Sequence, residues 1–564
     1  MADIREMILS NDYLDFIIPV YTGYEQDYPS DQVQLFNAHL GMFHRQRQFQ
    51  QIEDYYRNGL YYALIPKLYS LMDTVSLEAS GITKVQNLPA LELKGQNTLI
   101  GFIDTGIDYT HPAFRRSDGS SRILGLWDQT IQTGTTPFDI PYGSAYSQEE
   151  INRALQSENP RAVVPSVDET GHGTILAGIA CGSVLSENDF SGAAPESAIA
   201  VVKLKEAKEY LKELFFYTGQ GSIYQETDIM MGIRYLLLLA REQNRPVIIC
   251  IGLGTNQGPH SGESFLSKMI REISNYWGAY VVTAGGNEGG RAHHFFNRAP
   301  TGSMSVEAEI LVTQGTAGFT TELWGNPPEI YEVEFESPLG EAIQRRPVKV
   351  NYRDTLNFIL EDSQIFVVSE VIHTASGSQL IFMRFIRPSP GVWKIRVYAR
   401  NQNMGGFHIW LPVTGFSNPD VIFLRPDPDT TITIPGVSED AVTTAAYNAY
   451  NNSLFTHSSR GFTTTGRIKP QLTVPGVNIF GPVPGGGFST VTGTSAAAAI
   501  TAGACALLVE WGIKRRPQKL FNIAELSALL VRGAGRSNDR MYPNREWGYG
   551  ILDIYQIFKN LISL

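Results

Sequence analysis

The chain has 564 residues and a formal net charge of −11 at pH 7; 43% of its residues are hydrophobic and 18% are charged. This is the composition of an ordinary globular protein, and the length is enough for several domains. The acidic balance argues against nucleic acid or an anionic membrane surface as the main partner. No apolar run approaches the roughly 18 residues of a membrane helix, so no membrane span is predicted.

The N-terminus, "MADIREMILSNDYLDF", has neither the basic nor the apolar region of a secretory signal. We therefore expect synthesis in the cytoplasm without Sec-type export. Residues 1–74 are polar and rich in tyrosine, with mixed helix and strand signals, and they predict a separate α+β unit.

Beyond residue 97, short apolar strands alternate with helical stretches, as in "NTLIGFID", "AIAVVKL" and "PVIICIGLG". This alternation is typical of βαβ units and predicts an α/β domain, a parallel sheet with helices on both faces. The pattern runs through residues 75–296 and resumes in residues 433–564.

Residues 297–432 interrupt that pattern and carry no helical signal. About eight β-branched and aromatic runs, separated by Gly, Pro and Asn, predict an inserted all-β domain, a sandwich or jelly roll. The three cysteines, Cys181, Cys250 and Cys505, each lie in an apolar stretch, and we expect buried free thiols.

Three short motifs lie in the α/β part. "GFIDTGIDYTHP" ends a strand with Asp104, "DETGHGTILAGIA" places His172 between two glycines before an apolar helix, and "TGTSAAAAITAGA" begins a helix near Ser495. Taken singly, each residue has a structural interpretation as a turn residue, a helix-cap histidine or an N-cap serine.

Together the three side chains indicate catalysis. Open parallel sheets place their sites at the C-terminal ends of the strands. There Asp104 can hold an imidazole in one tautomer, His172 can take a proton from Ser495, and a helix N-terminus favours a developing oxyanion. The order Asp, His, Ser is that of subtilisin, and it differs from the orders of chymotrypsin and the α/β-hydrolases.

A fourth motif, "VVTAGGNEGG", places Asn287 directly after an apolar strand. Its carboxamide could donate a hydrogen bond to the substrate oxyanion, and loss of such a donor lowers kcat by about 10² to 10³. The alternative interpretation is an Asn-Gly type of turn. The three catalytic motifs elsewhere in the chain make this interpretation much weaker.

With these four motifs in order, the chain resembles the subtilases, the subtilisin-like serine proteases. The resemblance implies a triad of Asp104, His172 and Ser495, and an oxyanion hole made by Asn287 with the Ser495 amide. It also implies substrate-binding residues, which are Leu253 and Gly254 on one wall of the first specificity pocket and Gly285 and Gly286 on the other.

Two departures from the family pattern stand out. Ala496 replaces the usual Met after the serine, which removes an oxidisable side chain from beside the nucleophile. Ala113 replaces an acidic residue that often binds calcium, and "SENDF" has no EF-hand spacing. We therefore predict no metal and no cofactor. His293 and His294 have no other ligand at suitable spacing and are interpreted as a loop at the edge of the insert.

The missing signal and the β-rich insert make the chain resemble the clostridial Csp germination proteases in particular. That resemblance implies a prodomain that assists folding, is cut by the enzyme itself and stays bound in the cleft; matching "GITKV" to the mature start places the cut within residues 71–80. It also implies spore association and activation of a cortex-lytic hydrolase precursor.

Two other functions are open to a chain of this pattern. The triad scaffold could serve as a binding or sensing protein that its own propeptide silences, because a fold does not fix a function. An esterase would need a GxSxG elbow, whereas the serine here lies in GTSAA. The leading hypothesis is a serine endopeptidase that acts on protein or peptide substrates.

Overall fold

The computed structural model describes residues 3–47, 62–71, 78–87, 91–298, 305–345, 352–373, 375–400, 405–515 and 520–562. Its N-terminal elements are α1 Ile4–Leu9, β1 Tyr13–Pro19, β2 Val33–Leu35, β3 Leu40–Gln46 and β4 Leu68–Leu71. The first three strands form an antiparallel sheet in the order β1-β3-β2. The predicted boundary at residue 74 lies outside the described residues.

A buried carboxylate fastens this small sheet to the rest of the chain. Asp15 on β1 is fully buried. It lies 2.7 Å from Lys208 Nζ, 2.8 Å from His44 Nδ1 and 2.9 Å from Gln225 Nε2. Burial by itself raises the pKa of Asp15, but the neighbouring Lys208 and His44 outweigh it and hold that pKa well below its usual range. The ion pair therefore joins the N-terminal sheet to the segment that holds Lys208.

We expect Asp15→Asn to lower the free energy of unfolding at pH 7 by about 3 to 5 kcal/mol, because Lys208 would keep a buried charge without its partner. The folded-state pKa of Asp15 lies below its ordinary value of 3.8. The contribution of the carboxylate is therefore complete above that pH and disappears as the pH falls through the folded-state pKa. Urea unfolding of the wild type and of Asp15→Asn should be measured between pH 7 and pH 2.5. The difference between their free energies of unfolding should become smaller below pH 4. A constant difference would contradict this origin.

The first α/β part contributes strands and helices in alternation. Its elements are α2 Ile82–Asn87, β5 Leu99–Asp104, β6 Ile123–Asp128, β7 Ser144–Ser147, α3 Gln148–Gln156, α4 Pro160–Val163, α5 His172–Cys181, β8 Ala198–Lys203, α6 Glu209–Phe215, β9 Tyr224–Gln225, α7 Glu226–Glu242, β10 Val247–Ile251, β11 Leu253–Gly254, α8 Phe265–Ile273 and β12 Ala279–Ala284. Helix α3 begins with a capping box between Ser147 and Glu150, which satisfies two free backbone N–H groups at its start.

The following segment is all β. Its strands are β13 His294–Arg298, β14 Val306–Val312, β15 Gly318–Gly325, β16 Tyr331–Glu336, β17 Ala342–Ile343, β18 Tyr352–Phe358, β19 Ser363–Glu370, β20 Gln379–Ile386, β21 Gly391–Ala399, β22 Gly406–Trp410 and β23 Ile422–Phe423. They form a six-stranded sheet in the order β13-β22-β15-β20-β19-β18 and a five-stranded sheet in the order β17-β16-β21-β14-β23. Both sheets contribute to one apolar core. The jelly-roll interpretation of this segment stays a prediction.

The six-stranded sheet is buried on both faces. On β19, Ile365 and Val367 point into the core that the two sheets share. Their neighbours Phe366 and Val368 belong to the core of the α/β part. Side chains alternate between the two faces of a strand, so the unbroken apolar run "IFVV" reflects burial on both sides. The β-rich segment is therefore packed against the rest of the molecule through this sheet.

The last part returns to α/β structure. Its elements are β24 Val442–Asn448, β25 Ser453–Leu454, β26 Leu472–Pro475, β27 Ile479–Val483, β28 Gly487–Val491, α9 Thr494–Arg515, α10 Ile523–Gly533 and α11 Ile554–Ile562. Among the described helices, α9 alone has the length and hydropathy of a membrane span; 89% of its most apolar window is buried inside the fold. A core helix has these same properties.

The main sheet unites both α/β parts. Its order is β25-β24-β12-β10-β5-β8-β6-β7, and β26 pairs with β24. All of these pairings are parallel except those of β7 and β25, which lie at the edges. On the central strand β5, Ile100 and Phe102 share a core with α5 and α9, and Leu99 and Ile103 share the other core with α7 and α8. The α/β expectation, a parallel sheet covered on both faces, is therefore confirmed.

Candidate active site

Two strands end, and two helices begin, at one edge of the main sheet. Asp104 is the last residue of β5, and Asn287 lies three residues beyond β12. His172 is the first residue of α5, and Ser495 lies in the first turn of α9. Parallel strands bring their C-terminal ends to the same edge, so residues far apart in the sequence become neighbours there.

The three predicted catalytic side chains form a line of hydrogen bonds. His172 Nδ1 lies 2.7 Å from Asp104 Oδ1, and His172 Nε2 lies 3.3 Å from Ser495 Oγ. All three side chains are buried. The Thr105 N–H donates to Asp104 Oδ1 at 2.8 Å and helps to fix that carboxylate. This arrangement lets the imidazole take the serine proton, while the aspartate holds the other ring nitrogen.

The glycines around His172 permit a close approach of two backbones. Gly171 precedes the helix with a φ of 82°, in the left-handed region that favours glycine. A Cβ on Gly173 would lie 2.1 Å from the carbonyl oxygen of Gly106, which follows β5 by two residues. A larger residue at position 173 would therefore push the start of α5 away from the end of β5. The motif "GHG" sets the distance between His172 and Asp104.

Asp168 also links the end of β5 to the start of α5, and the sequence analysis did not identify it. Its Oδ1 accepts hydrogen bonds from Thr105 Oγ1 at 2.7 Å and from the Gly171 N–H at 2.8 Å. Its Oδ2 accepts from the N–H and the hydroxyl of Thr174, at 2.9 and 2.6 Å. An acidic residue just before a helix was the available signal, because such residues bind free N–H groups at helix starts.

We expect Asp168→Asn to lower the free energy of unfolding by about 1 to 3 kcal/mol, because an amide NH₂ would replace an oxygen that faces two donors. Since Gly171 and Thr174 flank His172, the imidazole should also shift, and labelling of Ser495 by a fluorophosphonate probe should slow by about tenfold or more. Asp118→Asn, in an exposed turn, is the control and should label at the wild-type rate. Wild-type labelling of the Asp168 variant would contradict this positioning role.

Ser495 is the second residue of α9, so it lies within the first turn and is not the N-cap. The N-cap interpretation of this serine is therefore wrong by two residues, since Gly493 precedes the first helical residue. The Ser495 N–H has no acceptor within the helix, because the first four N–H groups of a helix lack an intrahelical partner. The helix is 22 residues long, and its dipole favours negative charge at this end.

The amide of Asn287 is oriented by the residue before the nucleophile. Thr494 donates to Asn287 Oδ1 from its N–H at 3.1 Å and from its hydroxyl at 3.2 Å. With the oxygen engaged in this way, the NH₂ group is turned toward the other side of the amide. That orientation suits a donor to a developing oxyanion beside Ser495.

Two of the predicted substrate-binding residues pair with the chain itself. β4 lies between β11 and β9 and is antiparallel to both. Leu253 is opposite Leu71, and Gly254 is opposite Ser70. The preceding residue, Gly252, borders the catalytic groups, since a Cβ there would lie 3.2 Å from Ser495 Cβ and 3.2 Å from His172 Cε1. An extended segment of the chain therefore lies along the cleft and leads toward the nucleophile.

The other two predicted pocket residues have fully engaged backbones. The Gly285 N–H donates to the Thr444 carbonyl at 3.0 Å, and the Gly286 N–H donates to Thr494 Oγ1 at 3.0 Å. Gly286 has a φ of 105°, and a Cβ there would lie 2.6 Å from Thr433 Cγ2. Only the Cα surfaces of these glycines can line a pocket, because their N–H groups are already used.

The other chemically interesting residues are structural. Burial raises the pKa of Cys181 and of Cys505 to about 12, which suits inert thiols. All three cysteines are buried and free, as expected. His293 lies in a loop, as interpreted, and its Nδ1 is 2.6 Å from Glu288 Oε2. The loop interpretation is wrong for His294, which is the first residue of β13. Within the described ranges, His, Cys, Asp and Glu side chains form no group of three that could hold a metal.

Known proteins resemble this chain in sequence and in fold. The sequence matches the subtilase family (Peptidase_S8) over residues 95–317 and 388–550, more than half of the chain. The gap in the match lies within the β-rich segment. The structure is similar to that of the Clostridium perfringens CspB protease, with a TM-score of 0.76 and 32% identity, over 86% of this chain and 99% of that chain.

Similar curated proteins come from a bacterium and a plant. The C5a peptidase of Streptococcus pyogenes is 21% identical over 444 residues, which cover 76% of this chain and 36% of that protein. The subtilisin-like protease SBT2.2 of Arabidopsis thaliana is 35% identical over 129 residues, which cover 20% of this chain and 15% of that protein. The chain thus spans about a third or less of the length of these two relatives. From its family match and its structural similarity, the chain belongs to the subtilase family.

Proposed function

We propose that this protein is a serine endopeptidase of the subtilisin type that cuts its own N-terminal segment and then protein substrates. The observation that carries the proposal is the line Asp104–His172–Ser495 with Asn287 beside it. These groups supply an oriented base, a nucleophile and an oxyanion donor, which together define acyl transfer.

The proposal gives each residue a role in the reaction. His172 Nε2 takes the proton of Ser495 Oγ as that oxygen attacks the substrate carbonyl. Asn287 Nδ2 and the Ser495 N–H bind the oxyanion of the tetrahedral intermediate. His172 then gives the proton to the leaving amine, and the C–N bond breaks. Water attacks the acyl-enzyme by the same steps and releases the carboxylate product.

We further propose that β4 is the end of a propeptide that stays in the cleft after the cut. Leu68 and Tyr69 are fully buried there. Leu71 is opposite Leu253, and Gly252, which precedes Leu253, borders Ser495. If the antiparallel register continued by one residue, the bond after Met72 would lie at the nucleophile. We therefore place the cut after Met72, within the range 71–80 that the sequence predicts. Residues 72–77 lie outside the described residues.

The wider role is proposed from the similarity to the CspB protease, which extends over 99% of that chain. On this basis the physiological substrate is the precursor of a spore cortex-lytic hydrolase, which the enzyme activates during germination, and the protein is spore-associated. The bound propeptide is its first partner.

One observation favours a second candidate function. With β4 in the cleft, the strand-pairing edge of β11 is already used. A protein whose cleft stays filled could act as a propeptide-silenced binding or sensing protein on the subtilase scaffold. Self-cleavage distinguishes the two candidates, because only a working nucleophile can cut the chain.

The test is the intact mass of the purified chain beside the Ser495→Ala variant. We expect the wild type to give two fragments, cut after Met72, that elute together in gel filtration. The variant should remain whole. Two fragments in both proteins would indicate another protease. Full-length mass in both would favour the sensing function over catalysis.

A further inference from the structure

Glu288, the residue after Asn287, is a buried carboxylate with donors from three directions. It is 3% exposed. Its Oε2 lies 2.6 Å from His293 Nδ1 and 3.5 Å from Asn256 Nδ2, and its Oε1 accepts from the Thr414 N–H at 3.0 Å. Burial alone raises the pKa of Glu288, but His293 and the Thr414 N–H outweigh it, so the pKa lies below its usual value.

These donors come from different parts of the fold. Asn256 lies two residues beyond the substrate-pairing strand β11. Thr414 follows β22 of the β-rich segment, and Leu411, between them, accepts from Asn256 Nδ2 at 3.1 Å. The backbone of His293 is held as well, since its carbonyl accepts from the Leu411 N–H at 2.9 Å. One carboxylate therefore ties the loop of Asn287 to the cleft strand and to the β-rich segment.

The loop has little stiffness of its own. Its sequence is "GGNEGG", residues 285–290, so glycines flank Asn287 and Glu288 on both sides. Gly286 and Gly290 adopt φ values of 105° and 70°. A glycine-rich backbone has many accessible conformations, and its position must be fixed by contacts from outside. Backbone hydrogen bonds supply some of these contacts, at Gly285, Gly286 and Gly289. The Glu288 side chain supplies those to Asn256, His293 and Thr414.

Building on the proposed function, we infer that Glu288 is a positioning residue that holds Asn287 at the oxyanion position by anchoring its loop to the β-rich segment. The β-rich segment then acts on the chemical step itself. A displacement of about 1 Å in an active-site donor lowers the rate by about 10²-fold, so even a small movement of this loop is measurable.

The test is a double-mutant cycle on the full-length protein. The substrate is the peptide Leu-Tyr-Ser-Leu-Met, the sequence of residues 68–72, linked to a fluorogenic aminocoumarin. We expect Glu288→Gln to lower kcat by about 10- to 100-fold with KM within about threefold, the signature of a group that acts in the transition state. Asn287→Ala should lower kcat by about 10² to 10³. The double variant should be no slower than Asn287→Ala, because Glu288 acts through Asn287.

A matched control separates positioning from general destabilisation. Glu510 is equally buried and accepts from the Lys94 and Gly95 N–H groups at 2.8 and 2.6 Å. Glu510→Gln should lower the unfolding temperature as much as Glu288→Gln and leave kcat unchanged. If the losses of the two single variants multiply in the double variant, Glu288 does not act through Asn287 and the inference is wrong. If the wild type neither cuts its own chain nor hydrolyses the peptide in a Ser495-dependent way, the proposed function itself is wrong.

A second pair of variants decides the matter if Glu288→Gln does not fold. His293→Leu removes one donor to the carboxylate, and His293→Gln keeps an N–H in a similar place. We expect the Leu variant to lower kcat about fivefold or more and the Gln variant to restore it to within about twofold of wild type. Equal kcat values in the Leu variant and the wild type would overturn the inference.

Discussion

Replacing Ser495 by alanine is expected to lower kcat for the same fluorogenic peptide by about 10⁶-fold. The reason is that Ser495 Oγ, which lies 3.3 Å from His172 Nε2, is the group that would form the acyl bond. KM should be no lower than in the wild type, because the uncut N-terminal segment stays in the cleft of this variant and competes with the peptide. Initial rates at several substrate concentrations give both constants.

The control for this variant is Ser489→Ala, an exposed serine on the β28 hairpin. It should show wild-type kcat. The Ser495 variant should also keep its unfolding temperature within about 2 °C, because a hydroxyl is replaced without loss of packing. A Ser495 variant that retains a hundredth of the activity would mean that another residue is the nucleophile.

Asp104→Asn is expected to lower kcat by about 10⁴-fold. Asn is isosteric, so His172 should stay in place, but an amide NH₂ facing His172 Nδ1 would favour the wrong imidazole tautomer. The proton would then sit on Nε2, and the base could not accept from Ser495. The measurement is kcat and KM for the fluorogenic peptide at neutral pH.

The same variant allows a check on the cause. Fluorophosphonate labelling of Ser495, which needs the same base, should slow in parallel with kcat. The thermal unfolding curve should change little, because the amide has the same shape as the carboxylate that it replaces. A loss of less than tenfold in kcat would show that Asp104 does not orient the base.

The regular elements were readable from the sequence because they follow local patterns. "NTLIGFID" predicts the strand that the structure shows at Leu99–Asp104, and "DETGHGTILAGIA" predicts the helix His172–Cys181. The β-rich segment has eleven described strands where the sequence predicts about eight, and two of the eleven, β17 and β23, have only two residues. Pairs that short carry no period-2 signal.

The contacts that cross the chain could not be read in this way. Asp168 holds Thr105 across 63 residues, and Glu288 holds Thr414 across 126. His294 pairs with His408 across 114 residues, so its burial in a strand left no local trace. In the sequence these residues are Asp, Glu and His within polar stretches, just as exposed residues are. Only the tertiary structure shows that they are buried and paired. The triad was predictable because its glycines mark close approaches.

The order of the catalytic elements along the chain also has a consequence for biosynthesis. His172 and Ser495 are separated by 323 residues, and the whole β-rich segment lies between them. At the usual rates of translation, roughly 20 to 60 s pass between the synthesis of the base and that of the nucleophile. During that interval the nascent chain contains Asp104 and His172 but not yet Ser495. On the proposed function, the growing polypeptide therefore cannot cut itself until the N-terminal segment and the β-rich segment have both been made.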